Sequence, residues 1–257
     1  MTDIGILYKQ KVFSLEYVAE SLSISKPAAA KALLRWQERG IIRQIRKNMY
    51  TAIDLASGGP LADRYEVASR ISPSSYVGWH SALEYHGLAH QLFFDMYVGS
   101  VSRFSNFEFE GVSIVYCAAP LQDELPGVGQ AQGNPHVRVT DLERTLVDCF
   151  DRIDRAGGPE ELMHCMEGLL RVDEDRLAHY LQLYDKDFLY QKAGYLLERI
   201  KNQANITDGI IDLCRSRGAR YTKRLTNSQD SNQYISDWKL YVPDFMTTPN
   251  IDNHDLI

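Results

Sequence analysis

Apolar residues recur at helical spacing from the start of the chain. Ile4, Ile6 and Leu7 give residues Thr2 to Lys9 one apolar side, which predicts a short helix. Leu15, Val18, Ala19 and Leu22 then follow the i, i+3, i+4, i+7 rhythm of a single buried stripe. Ser14 stands where an N-cap is wanted, and Glu16 lies in the first turn, where the helix dipole favours an anion. Ser23-Ile24-Ser25 reads as a tight turn whose last serine caps the next helix. Pro27 is tolerated in that helix's first turn because N–H groups there lack helical partners. The helix spans Lys26 to Arg39 and stops at Gly40, a residue suited to the left-handed position beyond a helix end. At about 100° per residue, Ala29, Leu33 and Trp36 share the core side, while Ala28, Lys31 and Arg35 lie opposite.

After Gly40 the period changes. Ile41, Arg43 and Ile45 alternate with Ile42, Gln44 and Arg46, and Met49 to Ala52 can return as a second strand, with Arg46-Lys47-Asn48 at the tip. Two helices joined by a turn and followed by a basic β-hairpin predict a winged helix-turn-helix domain over residues 1–56. Its second helix would enter a major groove, where a small residue permits close approach and cations reach phosphates or guanine edges. A basic wing tip would touch the backbone or minor groove. The DNA-binding candidates are Ser25, Lys26, Ala28, Lys31, Arg35, Arg43, Arg46, Lys47 and Asn48. The competing reading is a pair of hairpins used for protein contacts, with the basic residues merely solvated.

Ser57-Gly58-Gly59-Pro60 predicts a hinge over 57–60, and a larger α+β domain is expected over 61–246. A helix is expected from Leu61 to Ile71, and a shorter one around Trp79, Ala82, Leu83 and Tyr85, ended by Gly87. Gln91 to Ser100 and Asn106 to Ala118 are rich in Phe, Tyr and Val, with Glu110-Gly111 as a turn, and predict an antiparallel sheet. Pro120 to Pro135 reads as a loop, His136 to Val139 as a short strand, and Thr140 with Glu143 as a capping box. Helical spacing dominates from Pro159 to Arg217, making the C-terminal half mostly helical. Arg220 to Pro243 returns to strand-like segments, and 247–257 reads as a frayed polar tail. The predicted fold class is α+β.

Charge sharpens this division. The whole chain carries 28 Lys+Arg against 34 Asp+Glu, a net of −6, yet its first 54 residues hold nine bases and five acids. The head is therefore +4 and the remainder −10, which suits a basic nucleic-acid-binding segment on an acidic body. With 44% hydrophobic and 24% charged residues, the composition is that of a globular protein rather than a disordered or collagen-like one. No run approaches the roughly 20 apolar residues of a membrane helix, and the N-terminus lacks a signal-peptide pattern, so a cytoplasmic protein is expected. Cys117, Cys149, Cys165 and Cys214 are widely spaced and read as reduced core thiols.

The sequence carries no glycine-rich phosphate loop, no Gly-x-Ser-x-Gly elbow and no clustered nucleophile–base signature. Gly127-x-Gly129 with Gly133 neither follows a convincing strand nor opens a helix, and reads as a loop. His86 and His90 have ligand-like spacing, but Gly87 breaks the helix between them, so capping or core roles are expected. Asp148/Asp151 and Asp173/Asp175 read as solvated helix faces rather than catalytic dyads. No catalytic residue, cofactor or metal site is therefore expected.

Three blocks carry a family resemblance. Tyr76-Val77-Gly78-Trp79-His80-Ser81-Ala82-Leu83-Glu84-Tyr85-His86-Gly87-Leu88 is one. Val139-Thr140-Asp141-Leu142-Glu143-Arg144-Thr145-Leu146-Val147-Asp148-Cys149-Phe150-Asp151-Arg152, followed by Ala156-Gly157-Gly158, is the second, and Lys192-Ala193-Gly194-Tyr195-Leu196-Leu197-Glu198 the third. In this order after a winged-helix head, they resemble AbiEi-type antitoxins of bacterial abortive-infection (type IV) toxin–antitoxin systems. The resemblance implies a transcriptional autoregulator that binds repeats in its own promoter. It also implies a C-terminal domain that neutralises a nucleotidyltransferase-type toxin, without requiring a stable complex. Arg144, Asp148 and Arg152 are four apart on one helix face; i,i+4 ion pairing explains them most simply, and an antitoxin surface is the alternative. The alternative functional classes are a winged-helix repressor with a ligand-sensing domain and no toxin partner, and a DNA-processing enzyme.

Overall fold

The computed structural model describes residues 5–226 and 231–247. Thr2 to Ile4 of the first predicted helix, residues 227–230 of the predicted strand-like stretch, and Thr248 to Ile257 of the predicted tail lie outside the described residues. The fold is mixed α+β in two compact units: Met1–Val77, Phe93–Ala119 and Val128–Val139 form one, and Gly78–Leu92, Pro120–Gly127 and Thr140–Ile257 the other. Among the described residues no helix is long and apolar enough to cross a membrane.

The first unit begins α1 (Gly5–Gln10), β1 (Val12–Phe13), α2 (Leu15–Ser21), α3 (Lys26–Glu38), β2 (Ile42–Arg46) and β3 (Met49–Ala52). The expected caps are present: Ser14 accepts from the Tyr17 N–H and Ser25 from the Ala28 N–H. Gly40 takes the left-handed conformation at φ +68° that lets the chain leave α3. Strands β1, β3 and β2 form an antiparallel sheet in that spatial order. Both faces of this small sheet are buried. Phe13, Ile42 and Ala52 pack with Leu7, Val18, Leu33 and Trp36 on one side. Val12, Ile45 and Met49 pack with Ala62, Val67 and Phe109 on the other. The predicted hinge over 57–60 is accordingly not where the two units part. Ile53 bridges Pro60, the Leu61 N–H donates to Ala52, and Lys11 pairs with Glu66 at 2.6 Å.

The unit continues with α4 (Arg64–Ser69), entered through an Asp63/Glu66 capping box. Its large sheet comprises β4 (Tyr76–Val77), β5 (Asp95–Ser100), β6 (Phe107–Phe109), β7 (Val112–Ala118), β8 (Val128–Ala131) and β9 (Asn134–Thr140), ordered β6-β7-β5-β4-β9-β8. The predicted turn at Glu110-Gly111 joins β6 to β7, but the sheet is mixed rather than antiparallel, because β5 pairs β7 and β4 pairs β9 in parallel. Alternating apolarity specifies strands and faces, not partners; here β6 is interposed in sequence and lies outside β7. Residues 128–131, expected as loop, form the edge strand β8. Gly99 faces Tyr76 across β4 and β5, where any side chain would strike the phenol ring.

The second unit is helical: α5 (Trp79–Tyr85), α6 (Leu142–Asp151), α7 (Pro159–Glu167), α8 (Glu174–Tyr184), α9 (Asp187–Arg199) and α10 (Asp208–Arg217). Strands β10 (Lys223–Arg224), β12 (Leu240–Pro243) and β11 (Ser231–Ile235) form a small sheet. Every residue of α6 from Glu143 to Phe150 is buried, so this helix is the centre of the unit's core. Its cap is Asp141, which accepts from the Arg144 N–H, and not the expected Thr140. Glu143 instead accepts from the Asp173 N–H and ties the start of α8 to α6. Cys117, Cys149, Cys165 and Cys214 are all buried.

Candidate functional site

The structure brings several predicted DNA-binding residues onto α3 and the β2–β3 tip. Ser25, Lys26, Lys31, Arg35 and Lys47 are exposed. Lys26 has an ionic neighbour in Glu16 at 3.8 Å. Arg35 donates from Nε to the Lys31 carbonyl at 3.3 Å, so its guanidinium is drawn along the helix surface. Ala28 is half-buried and lines a cleft of about 690 Å³ with Ile24, Ala32, Arg35 and Trp36. Leu34 on the same helix is 59% exposed.

The remaining candidates are held by the protein itself. Arg43 pairs with Glu110 on the β6–β7 turn. Arg46 lies over the Phe107 ring at 5.2 Å and the Phe104 ring at 5.9 Å, which takes it away from the hairpin tip. A bulge in β2 between Gln44 and Arg46 turns this side chain inward. Asn48 occupies the left-handed region at φ +58°. Its Oδ1 accepts from the Leu15 N–H at 3.0 Å and its Nδ2 donates to Glu16 at 2.7 Å, fastening the hairpin to the start of α2. This amide is the main influence holding the Glu16 carboxyl below the usual carboxylate range.

The surface reading of Arg144, Asp148 and Arg152 fails for the first two. Arg144 and Asp148 are wholly buried, with Nε donating to Oδ1 at 2.8 Å. Arg144 also donates to the Pro126 carbonyl at 2.7 Å, and the Tyr184 hydroxyl donates to Asp148. Burial raises the Asp148 carboxyl above its usual range, against the pull of Arg144. Asp148 is therefore not a solvated acid of a helix face. The helix ends at Asp151, and Arg152 turns away to pair with Asp154 at 2.6 Å.

A second polar cluster, in the helical unit, joins residues far apart in sequence. Glu161 on α7 is 1% exposed. Its Oε1 accepts from the His90 N–H at 2.9 Å, the Gln91 N–H at 3.0 Å and the Cys165 thiol at 3.3 Å, with His80 Nε2 at 3.0 Å. Oε2 is buried without a hydrogen-bond partner, 3.9 Å from His90 Nδ1. Burial opposes ionisation of Glu161, but these donors outweigh it and lower the carboxyl overall. Burial also pushes the Cys165 thiol up to about 12. His86, by contrast, bonds the Thr140 carbonyl at 2.8 Å.

No protein-family model and no curated protein matches this chain. A solved crystal structure, that of the RV2827C protein from Mycobacterium tuberculosis, is similar in fold. The likeness covers 93% of this chain and 89% of that one, with a TM-score of 0.61 at 15% sequence identity. At that identity it speaks to fold alone.

Sequence reasoning missed the Glu161 cluster because its members come from α5, the following loop and α7. The only local signal was Glu161 and Cys165 four apart, one helical turn and hence one face.

Proposed function

We propose that this chain is a winged-helix transcriptional regulator that binds double-stranded DNA at its own promoter and serves as the antitoxin of a bacterial toxin–antitoxin pair. In this reading α2 and α3 are the helix-turn-helix and β2–β3 is the wing. The observation that carries DNA binding is the row of exposed cations Lys26, Lys31 and Arg35 on α3, with Lys47 at the adjoining hairpin tip. Phosphate contacts require such accessible cations, and a capped helix start offers N–H groups to the same anions. Arg43, Arg46 and Asn48 position the hairpin in this reading rather than touch DNA.

The antitoxin role rests on the three sequence blocks that resemble AbiEi proteins. Those blocks supply mainly core residues, such as Leu83, Leu146 and Leu196, so the surface that opposes a nucleotidyltransferase-type toxin is not among Arg144 and Asp148. Co-expression with a nucleotidyltransferase-type toxin tests the antitoxin role, and a promoter reporter tests repression. A Lys31→Ala/Arg35→Ala/Lys47→Ala chain should still protect cells while losing promoter repression. Failure of the unaltered chain to protect would remove the antitoxin role, and repression unchanged in the triple variant would remove the assigned DNA face.

A further inference from the structure

We propose that His80, His90, Glu161 and Cys165 form a binding site for a zinc-class divalent cation. Imidazole nitrogen, thiolate sulfur and carboxylate oxygen are the donors that zinc takes. Donor atoms of His80, Glu161 and Cys165 already lie within 4.8 Å of one another. Bonds of 2.0–2.3 Å in a tetrahedron set donors roughly 3.3–3.8 Å apart, so drawing these three onto one ion requires movements of about 1 Å.

The division of labour within Glu161 points to a ligand. Oε1 is held by two backbone N–H groups, from His90 and Gln91, which fix the carboxylate as outer-shell partners do at metal sites. Oε2 is buried and receives no hydrogen bond, an arrangement that is costly until a donor or cation meets it. His90 Nδ1 lies 3.9 Å from it, on a side chain 62% exposed. His90 therefore gives the buried carboxylate a route to solvent. Its ring is stacked on His164 at 4.7 Å between centroids, which restrains its direction.

Binding requires two proton movements. The Cys165 S–H bond breaks, the proton passes to solvent, and the sulfur lone pair bonds the cation. His80 and His90 bond through neutral ring nitrogens; the His80 proton, which Nε2 donates to Oε1 before binding, is lost from Nε2 and regained on Nδ1. The site uses neither His86, whose imidazole is occupied by Thr140, nor the other three cysteines.

The test is titration of the full, chelator-stripped chain with Co²⁺ as a spectroscopic probe, followed by displacement with Zn²⁺. One ion per chain, tetrahedral ligand-field bands and a thiolate-to-cobalt charge-transfer band are expected. Cys165→Ser should abolish the charge-transfer band, whereas Cys214→Ser should leave it unchanged. His90→Ala, a change at an exposed side chain that leaves the core intact, should weaken binding by on the order of tenfold or more. Absence of the charge-transfer band in the unaltered chain would overturn the site. So would unaltered affinity in both His90→Ala and Cys165→Ser.

Discussion

Arg144 and Asp148 illustrate how burial changes the meaning of an i,i+4 pair. On a solvated helix such a pair contributes a few tenths of a kcal/mol; here both side chains are fully enclosed. Arg144→Met should destabilise the chain by roughly 3–5 kcal/mol in urea unfolding, because it strands a buried carboxylate. The Arg144→Met/Asp148→Leu double variant should recover much of that loss. Glu66 gives the opposite electrostatic case. Burial disfavours its charge, but Lys11, the Asn134 amide and the Asp63 N–H outweigh burial and hold the carboxyl below its usual value of 4.5. A depressed carboxyl contributes stability above its unfolded-state value and loses it as pH falls through the folded one. Glu66→Gln should therefore lower Tm at pH 7 and converge with the unaltered chain toward pH 3, as measured by thermal melts. The pairing of Arg144 with Asp148 was legible in the four-residue spacing. Their depth was not, because periodicity reports one face, and α6 is buried on every face from Glu143 to Phe150.

At the scale of elements, α2 and α3 follow the apolar stripes closely. Capping serines, Pro27 in the first turn and Gly40 beyond the end all act locally, so short-range sequence suffices to specify them. Trp36, 7% exposed, packs where the stripe places it. Trp36→Ala should cost roughly 3–5 kcal/mol and abolish DNA binding through loss of fold; a folded, DNA-competent variant would show the helix inverted. The β2–β3 hairpin was legible as strands, but the fates of Arg43 and Arg46 were not. Their partners, Glu110, Phe104 and Phe107, lie more than fifty residues downstream on the β6–β7 hairpin and the loop before it. Lys47 retains its exposure. If it contacts a phosphate, Lys47→Ala should weaken binding to every sequence and reduce the salt slope by about one. Arg35→Ala should relax sequence preference at a cost of about 1–3 kcal/mol if the guanidinium reads a guanine edge. Binding-site selection with each variant separates these effects.

For the whole molecule, apolar periodicity anticipated an α+β chain and charge asymmetry its basic head, but neither showed where its compact units divide. Ser57-Gly58-Gly59-Pro60 has the composition of a linker, yet the head sheet packs Val12, Ile45 and Met49 with Val67 of α4 and Phe109 of the large sheet's hairpin. Cutting at residue 56 would expose those side chains, so a 1–56 fragment is expected to fold poorly, and point substitutions in the full chain separate the functions more cleanly than truncation. The claim that α3 is a DNA-binding helix is tested most directly by fluorescence anisotropy of the full chain on duplex DNA from upstream of its reading frame, across a salt series. Binding that weakens steadily as salt rises, and that Lys31→Ala/Arg35→Ala removes without lowering Tm, is the expected result. No binding even at low salt, or binding unaffected by the double substitution, would contradict it.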